Sequence, residues 1–191
     1  MSILIKAFFS RIANIISSPE KEWQVIMSEN PSRTSLIVYA LILSLIPFLS
    51  LFIKYAFIGT DGYPEGNPVV GLEYGLYYFL SLILLVYFLA WFVDFRATAF
   101  NSDKNFTRSL QLVVYSFTPY WVACLLFIFG VEKASIIQII GLYSIYMIYM
   151  GLPSIKGTKS NRIVGYIINI AIAMIVLRML FGYLAQYILD L

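Results

Sequence analysis

From Ser135 to Leu152 the chain carries no charged side chain, and this run limits the possible folds more than any other feature. Roughly 18 residues at 1.5 Å rise each are just enough for a helix to cover the hydrocarbon of a bilayer. A lone strand there would leave its backbone groups unpaired, so a membrane-spanning helix is predicted. On it Gly141, Ser144, Ile148 and Gly151 recur at steps of three or four, forming a groove of small residues that another helix can approach closely. Tyr143, Tyr146 and Tyr149 form a slanting stripe on a different side. Pro153 is expected to end the helix, with Lys156, Lys159 and Arg162 marking the water beyond.

Four further runs read the same way: 35–57, with Pro47 near its middle; 71–93, with tyrosines and other aromatics near both ends; 110–129, with Pro119; and the long 163–189. Aromatics at the two ends of 71–93 suit the headgroup levels, and Pro47 is expected to kink its helix. The linker 59–68 is rich in turn residues, and Asp94–Arg108 reads as a polar connection. The expected fold is all-α: one membrane domain over 1–191, a polytopic bundle of five transmembrane helices (35–57, 71–93, 110–129, 135–152 and 163–189). With 61% hydrophobic and 12% charged residues, 191 residues lack the polar surface of a water-soluble domain. Nucleic acid is not an expected partner. There is no histidine, and one cysteine, Cys124, lies in an apolar run, so no metal site or cofactor is expected and Cys124 is read as a small hydrophobe.

Ahead of the spans, residues 1–34 form a cytoplasmic or interfacial segment. Met1–Ser17 alternates apolar residues with Ser2, Lys6, Ser10, Asn14 and Ser17 at helical spacing, the pattern of an amphipathic helix lying in the membrane interface. Arg11 interrupts its apolar run and no small-residue cleavage site follows, which argues against a signal peptide. A second short helix is predicted from Pro19 to about Ser28, with Ser18 as cap and Glu20 at its positive start. Ten of the thirteen basic residues fall in this segment, in 94–108, or between the fourth and fifth spans. Five crossings put all three on one side, which is the cytoplasm by the positive-inside rule. The expected topology is N-terminus inside and C-terminus outside.

Three sets of residues carry a family resemblance: Pro19-x-x-x-Trp23-x-x-Ile26 before the first span, Tyr115-Ser-Phe-Thr-Pro119 in the third, and Tyr143-x-x-Tyr146-x-x-Tyr149-x-Gly151-Leu152 closing the fourth. In these and in the order of its elements the chain resembles the Yip domain family of Ypt/Rab-interacting membrane proteins, in its short bacterial-type branch. That resemblance implies five transmembrane helices, a cytoplasmic N-terminus and, for a bacterial member, the inner membrane. The eukaryotic branch binds Rab GTPases through a longer N-terminal region with an Asp-Leu-Tyr-Gly-Pro signature. This sequence lacks the signature, which puts binding of a Rab-type GTPase in doubt here.

Arg178 is the one ionisable residue deep in a span. Held alone at a helix centre it costs about 2.5 to 3.5 kcal/mol on insertion scales, so it needs a partner, a cavity, or a route for its side chain to the interface. Carboxylates toward the outer side are Glu73, Glu132 and Asp190. Arg178 and the stripe Tyr143, Tyr146 and Tyr149 are the candidate binding residues; Gly141, Ser144 and Gly151 are candidates for helix packing, within the chain or in a homo-oligomer. Asp94 and Asp103 beside Arg96 and Lys104 read as solvated charge pairs. No nucleophile motif, phosphate loop or carboxylate cluster is present, and no enzyme is expected. Two readings follow: a non-enzymatic organiser of membrane that binds lipid or a membrane-protein partner, or a small transporter or channel with a polar path near Arg178.

Overall fold

A computed structural model describes residues 2–59, 64–130 and 134–189. Among these residues there is no strand. The helices are α1 (Ser2–Ser17), α2 (Pro19–Ser28), α3 (Arg33–Ile53, prolonged by a π turn at Lys54–Ile58), α4 (Pro68–Arg96, then a 3₁₀ turn at Ala97–Phe100), α5 (Phe106–Ser116), α6 (Thr118–Ala123, then a 3₁₀ turn at Cys124–Phe129), α7 (Ala134–Lys156) and α8 (Ser160–Ile188). Five stretches are long and apolar enough to cross a membrane: Arg33–Ile58, Pro68–Phe100, Phe106–Phe129, Ile139–Lys156 and Ser160–Ile188. Many of their large apolar side chains point outward, among them Ile42, Leu45 and Leu49 on α3 and Ile172, Ile175 and Val176 on α8. Lipid is the solvent that suits such faces, and the protein is a multi-pass integral membrane protein.

Most of these helices begin a turn before the apolar run that predicts them, because a polar cap sets the start. Ser32 accepts from the Ser35 amide, Asn67 from Val69 and Val70, and Asn105 from Arg108, each satisfying donors that a helix start leaves free. The expected connection 94–108 shrinks accordingly, since Asp94 and Arg96 belong to α4 and Arg108 to α5. Pro47 sits inside α3. At Pro119 the third span breaks: Phe117 separates α5 from α6, and Pro119 occupies the first turn of α6, where its missing N–H costs no bond.

The expectation for Pro153 is corrected. The proline lies within α7, which runs on to Lys156; the stop is Gly157, whose φ of +60° is a left-handed conformation that favours glycine. Lys156 is corrected with it. Its side chain is 0% exposed, so it does not mark water.

The core runs between the helices from Trp23 and Ile26 through Leu89, Leu112, Trp121, Met147 and Leu152 to Tyr166 and Ile170, all at most 2% exposed. The hairpin of α1 and α2 packs onto this core. Phe8 meets the Tyr39 ring, Ile15, Trp23 and Ile26 are buried, and Arg11 forms ion pairs with Glu22 and Glu29 while lying 5.5 Å over the Tyr115 ring.

Hydrogen bonds bring the basic segments to one end of the bundle, called here the basic end. Arg108 donates to the Glu29 carbonyl at 2.8 Å and to Asn30 at 2.7 Å, and Arg33 donates to Thr107 at 2.9 Å. The Asp103 amide donates to the Lys156 carbonyl at 2.9 Å, and Ser102 and Thr158 share a bond of 2.8 Å. The N-terminal hairpin, the 97–105 connection and the 157–159 turn therefore meet, as five crossings require.

Candidate functional site

At the basic end the ammonium of Lys156 is surrounded by groups from two other helices. It lies 3.4 Å from Asp94 Oδ1 on α4 and donates to Ser109 Oγ at 2.7 Å and to the Asn105 carbonyl at 3.4 Å. Ser109 in turn donates to Asp94 Oδ1 at 3.1 Å. One residue earlier on α4, the Val93 carbonyl accepts from the Tyr166 hydroxyl of α8, whose ring stacks on Phe100 at 4.7 Å. These bonds join α4, α5, α7 and α8 in a polar knot. The solvated charge pairs expected of Asp94 and Arg96 are corrected: Asp94 is committed to Lys156 and Ser109, and Arg96 lies over the Phe100 ring at 5.6 Å. Sequence reasoning missed this knot. Its one visible signal is that Asp94 and Lys156 each directly follow an apolar run on what topology makes the same side.

Near the opposite end, a cavity of about 270 Å³ lies between α4, α6, α7 and α8, with Arg178 in its wall. Arg178 is 18 residues from the start of α8 and ten short of Ile188, about 27 Å and 15 Å along the axis. Side chains on a helix lean toward its N-terminus, so the far interface is the unfavourable direction for Arg178. It crosses inward instead. A Cβ added at Gly141 would stand 3.5 Å from its Nη1 and 3.3 Å from the Tyr120 ring. The guanidinium thus lies against bare α7 backbone, sharing the cavity lining with Tyr120 and Tyr78. Tyr77 on α4 donates to the Phe181 carbonyl and ties α8 across the cavity mouth. Glu73 is exposed on α4, while Glu132 and Asp190 lie outside the described residues. Among the described residues no carboxylate forms an ion pair with Arg178.

The other candidates separate into packing and surface. Gly141, Ser144 and Gly151 are all buried, and the groove they form is filled by this chain. At Gly151 an added Cβ would strike Leu112 of α5 and approach Trp23 to 2.9 Å. A homo-oligomer would have to use another face. Tyr146 and Tyr149 are exposed, and Tyr143 is half-buried with its ring 5.5 Å from that of Tyr146. The stripe therefore points outward and does not line the Arg178 cavity. Cys124 is fully buried, as a small hydrophobe is. Among the described residues no group of three His, Cys, Asp or Glu side chains could hold a metal.

The family model described as the Yip1 domain matches residues 13–181. The chain belongs to the Yip1 domain family. The match takes in the Lys156 knot and Arg178, the hairpin from Ala13 onward and all but the end of α8. Within this Yip1 domain the first two motifs prove to be packing residues, unlike the exposed tyrosines of the third: Trp23 and Ile26 are buried, Tyr115 faces Tyr39 with ring centroids 5.2 Å apart, and Pro119 lies in the first turn of α6. Pro19 opens α2, and Gly151 admits Trp23 to the α7 backbone. No curated protein and no solved structure matches the chain.

Proposed function

We propose that this Yip1 family protein is a non-enzymatic organiser of the membrane that carries it, acting on lipid through its N-terminal hairpin. The observation behind this reading is the division of labour within α1 and α2. One set of side chains (Ile15, Trp23, Ile26) anchors the hairpin in the bundle, while Phe9, Ile16, Val25 and Met27 remain exposed. The Arg11 pairs with Glu22 and Glu29 hold the two helices together. A clamped hairpin with apolar side chains left over is suited to fill one leaflet beside the spans, and filling one leaflet more than the other favours curvature. The positive-inside rule supports a cytoplasmic N-terminus and hairpin, in the inner membrane if the source is bacterial.

The transporter reading loses ground to the cavity's shape. Toward the basic end its wall is Leu82, Leu85, Phe117 and Met174, an apolar floor. Reconstitution into large vesicles tests the proposal. The native chain should shift the vesicles to smaller diameters by electron microscopy, and the double variant Phe9→Glu, Ile16→Glu should not. Equal size distributions for the two, or solute flux with the native chain alone, would contradict it.

A further inference from the structure

We infer that the Arg178 cavity is a binding site for a phosphate-bearing anion, in membranes the headgroup of an anionic phospholipid. The inference is independent of the hairpin and rests on what surrounds the guanidinium. A cation inside a membrane span calls for an opposite charge or for water, and the described residues supply no carboxylate. They supply hydroxyls: Tyr77, Tyr78 and Tyr120 line the same space as Arg178. A planar guanidinium with several N–H donors matches a phosphate, which it can hold by two parallel bonds, and the phenols of Tyr78 and Tyr120 in the same lining add O–H donors.

The cavity's position and size favour a lipid as the source. Its lining on α8 runs from Ala185 down to Met174, about 16 Å along the axis. Its upper part therefore stands near Tyr183 and Tyr187, exposed aromatics of the kind found at headgroup level. Arg178 is itself exposed, so the wall is open beside it. Met179 and Leu180 next to it are exposed apolar residues against which acyl chains can lie. A volume of about 270 Å³ is below the ~300–1,000 Å³ of sites that enclose whole drug-sized ligands. It suits a headgroup whose tails stay in the bilayer.

Two glycines are part of the site's construction. Gly141 lets the guanidinium lie on α7. Gly182, also in the lining, has no atom within 4 Å of where its Cβ would stand. It leaves open the space an occupant would fill, which makes Gly182→Leu a variant that blocks the cavity without clashing with the protein. Replacing glycine inside a helix also favours folding.

The test uses purified full-length protein in detergent with equal amounts of phosphatidylglycerol and phosphatidylcholine of identical chains, and counts bound lipids by native mass spectrometry. The native chain should retain phosphatidylglycerol preferentially, and Arg178→Gln and Gly182→Leu should each reduce that preference by ~10-fold or more, as for lost bonds to a charged group. In a parallel arm inorganic phosphate is added. If it leaves the bound phosphatidylglycerol in place, the lipid headgroup is the occupant; if it displaces the lipid from the native chain only, the same site takes the free ion, and both results uphold a phosphate site. An unchanged lipid preference in both folded variants, or a native chain that prefers neither phosphatidylglycerol nor phosphate, would overturn it.

Discussion

Lys156 and Arg178 are both cations on apolar helices, and the protein treats them in opposite ways. Lys156 is shut away from solvent, with a carboxylate, a hydroxyl and a carbonyl from α4 and α5 at 2.7 to 3.4 Å. Arg178 lies open in a cavity wall with tyrosine hydroxyls about it and, among the described residues, no ion-pair partner. The difference separates structure from function. A buried charge that is fully met by its own chain fixes the arrangement of helices and has nothing left to offer a ligand. A charge left short of partners at membrane depth costs stability and keeps its bonding capacity for something else.

Substitutions can break this contrast from either side. The largest effect is expected for Asp94→Ala, which strands the buried Lys156 charge and should cost about 3 kcal/mol or more. The combined change Asp94→Ala, Lys156→Met removes both charges and should recover most of that loss, because no unpaired charge is then left buried. Unfolding of both in detergent, read from the temperature or denaturant midpoint, checks the pattern. If the double variant were as unstable as the single one, the knot would owe its strength to something other than charge pairing. At the other end Arg178→Gln should change stability by less than about 1 kcal/mol in the same assay, since it breaks no ion pair among the described residues. A loss there as large as that of Asp94→Ala would make Arg178 a second structural cation and remove the contrast.

The spans were legible in the sequence because hydropathy over a window reports the solvent, and five apolar runs leave few alternatives. The edges were less so. Ser32, Asn67 and Asn105 cap helices by side-chain bonds to amides two or three residues on, and no average of hydropathy registers such a bond. Pro153 misled because proline removes one hydrogen bond without stopping a helix held by neighbours; the stop lies in the backbone angle of Gly157. Arg178 was identifiable as the single charge deep in a span, yet the choice between reaching the interface and facing a cavity depended on Gly141 and Tyr120, which lie on other helices. The Lys156 knot was hidden for a related reason. Asp94 is 15 residues from Ser109 and 62 from Lys156, and only the packing of α4, α5 and α7 brings them together.

The most direct test of this account is the chemistry at position 182. Cys124 is buried and Gly182 faces open space, so a Gly182→Cys variant places one reactive thiol in the cavity. In membrane vesicles with the outer face exposed, a small anionic methanethiosulfonate should modify it several-fold faster than a cationic one of similar size, drawn by the Arg178 charge. The preference should vanish when Arg178→Gln is added. A thiol that reacts only from the cytoplasmic face, or reacts faster with the cationic reagent, would contradict an open, unneutralised arginine at the outer end of the bundle.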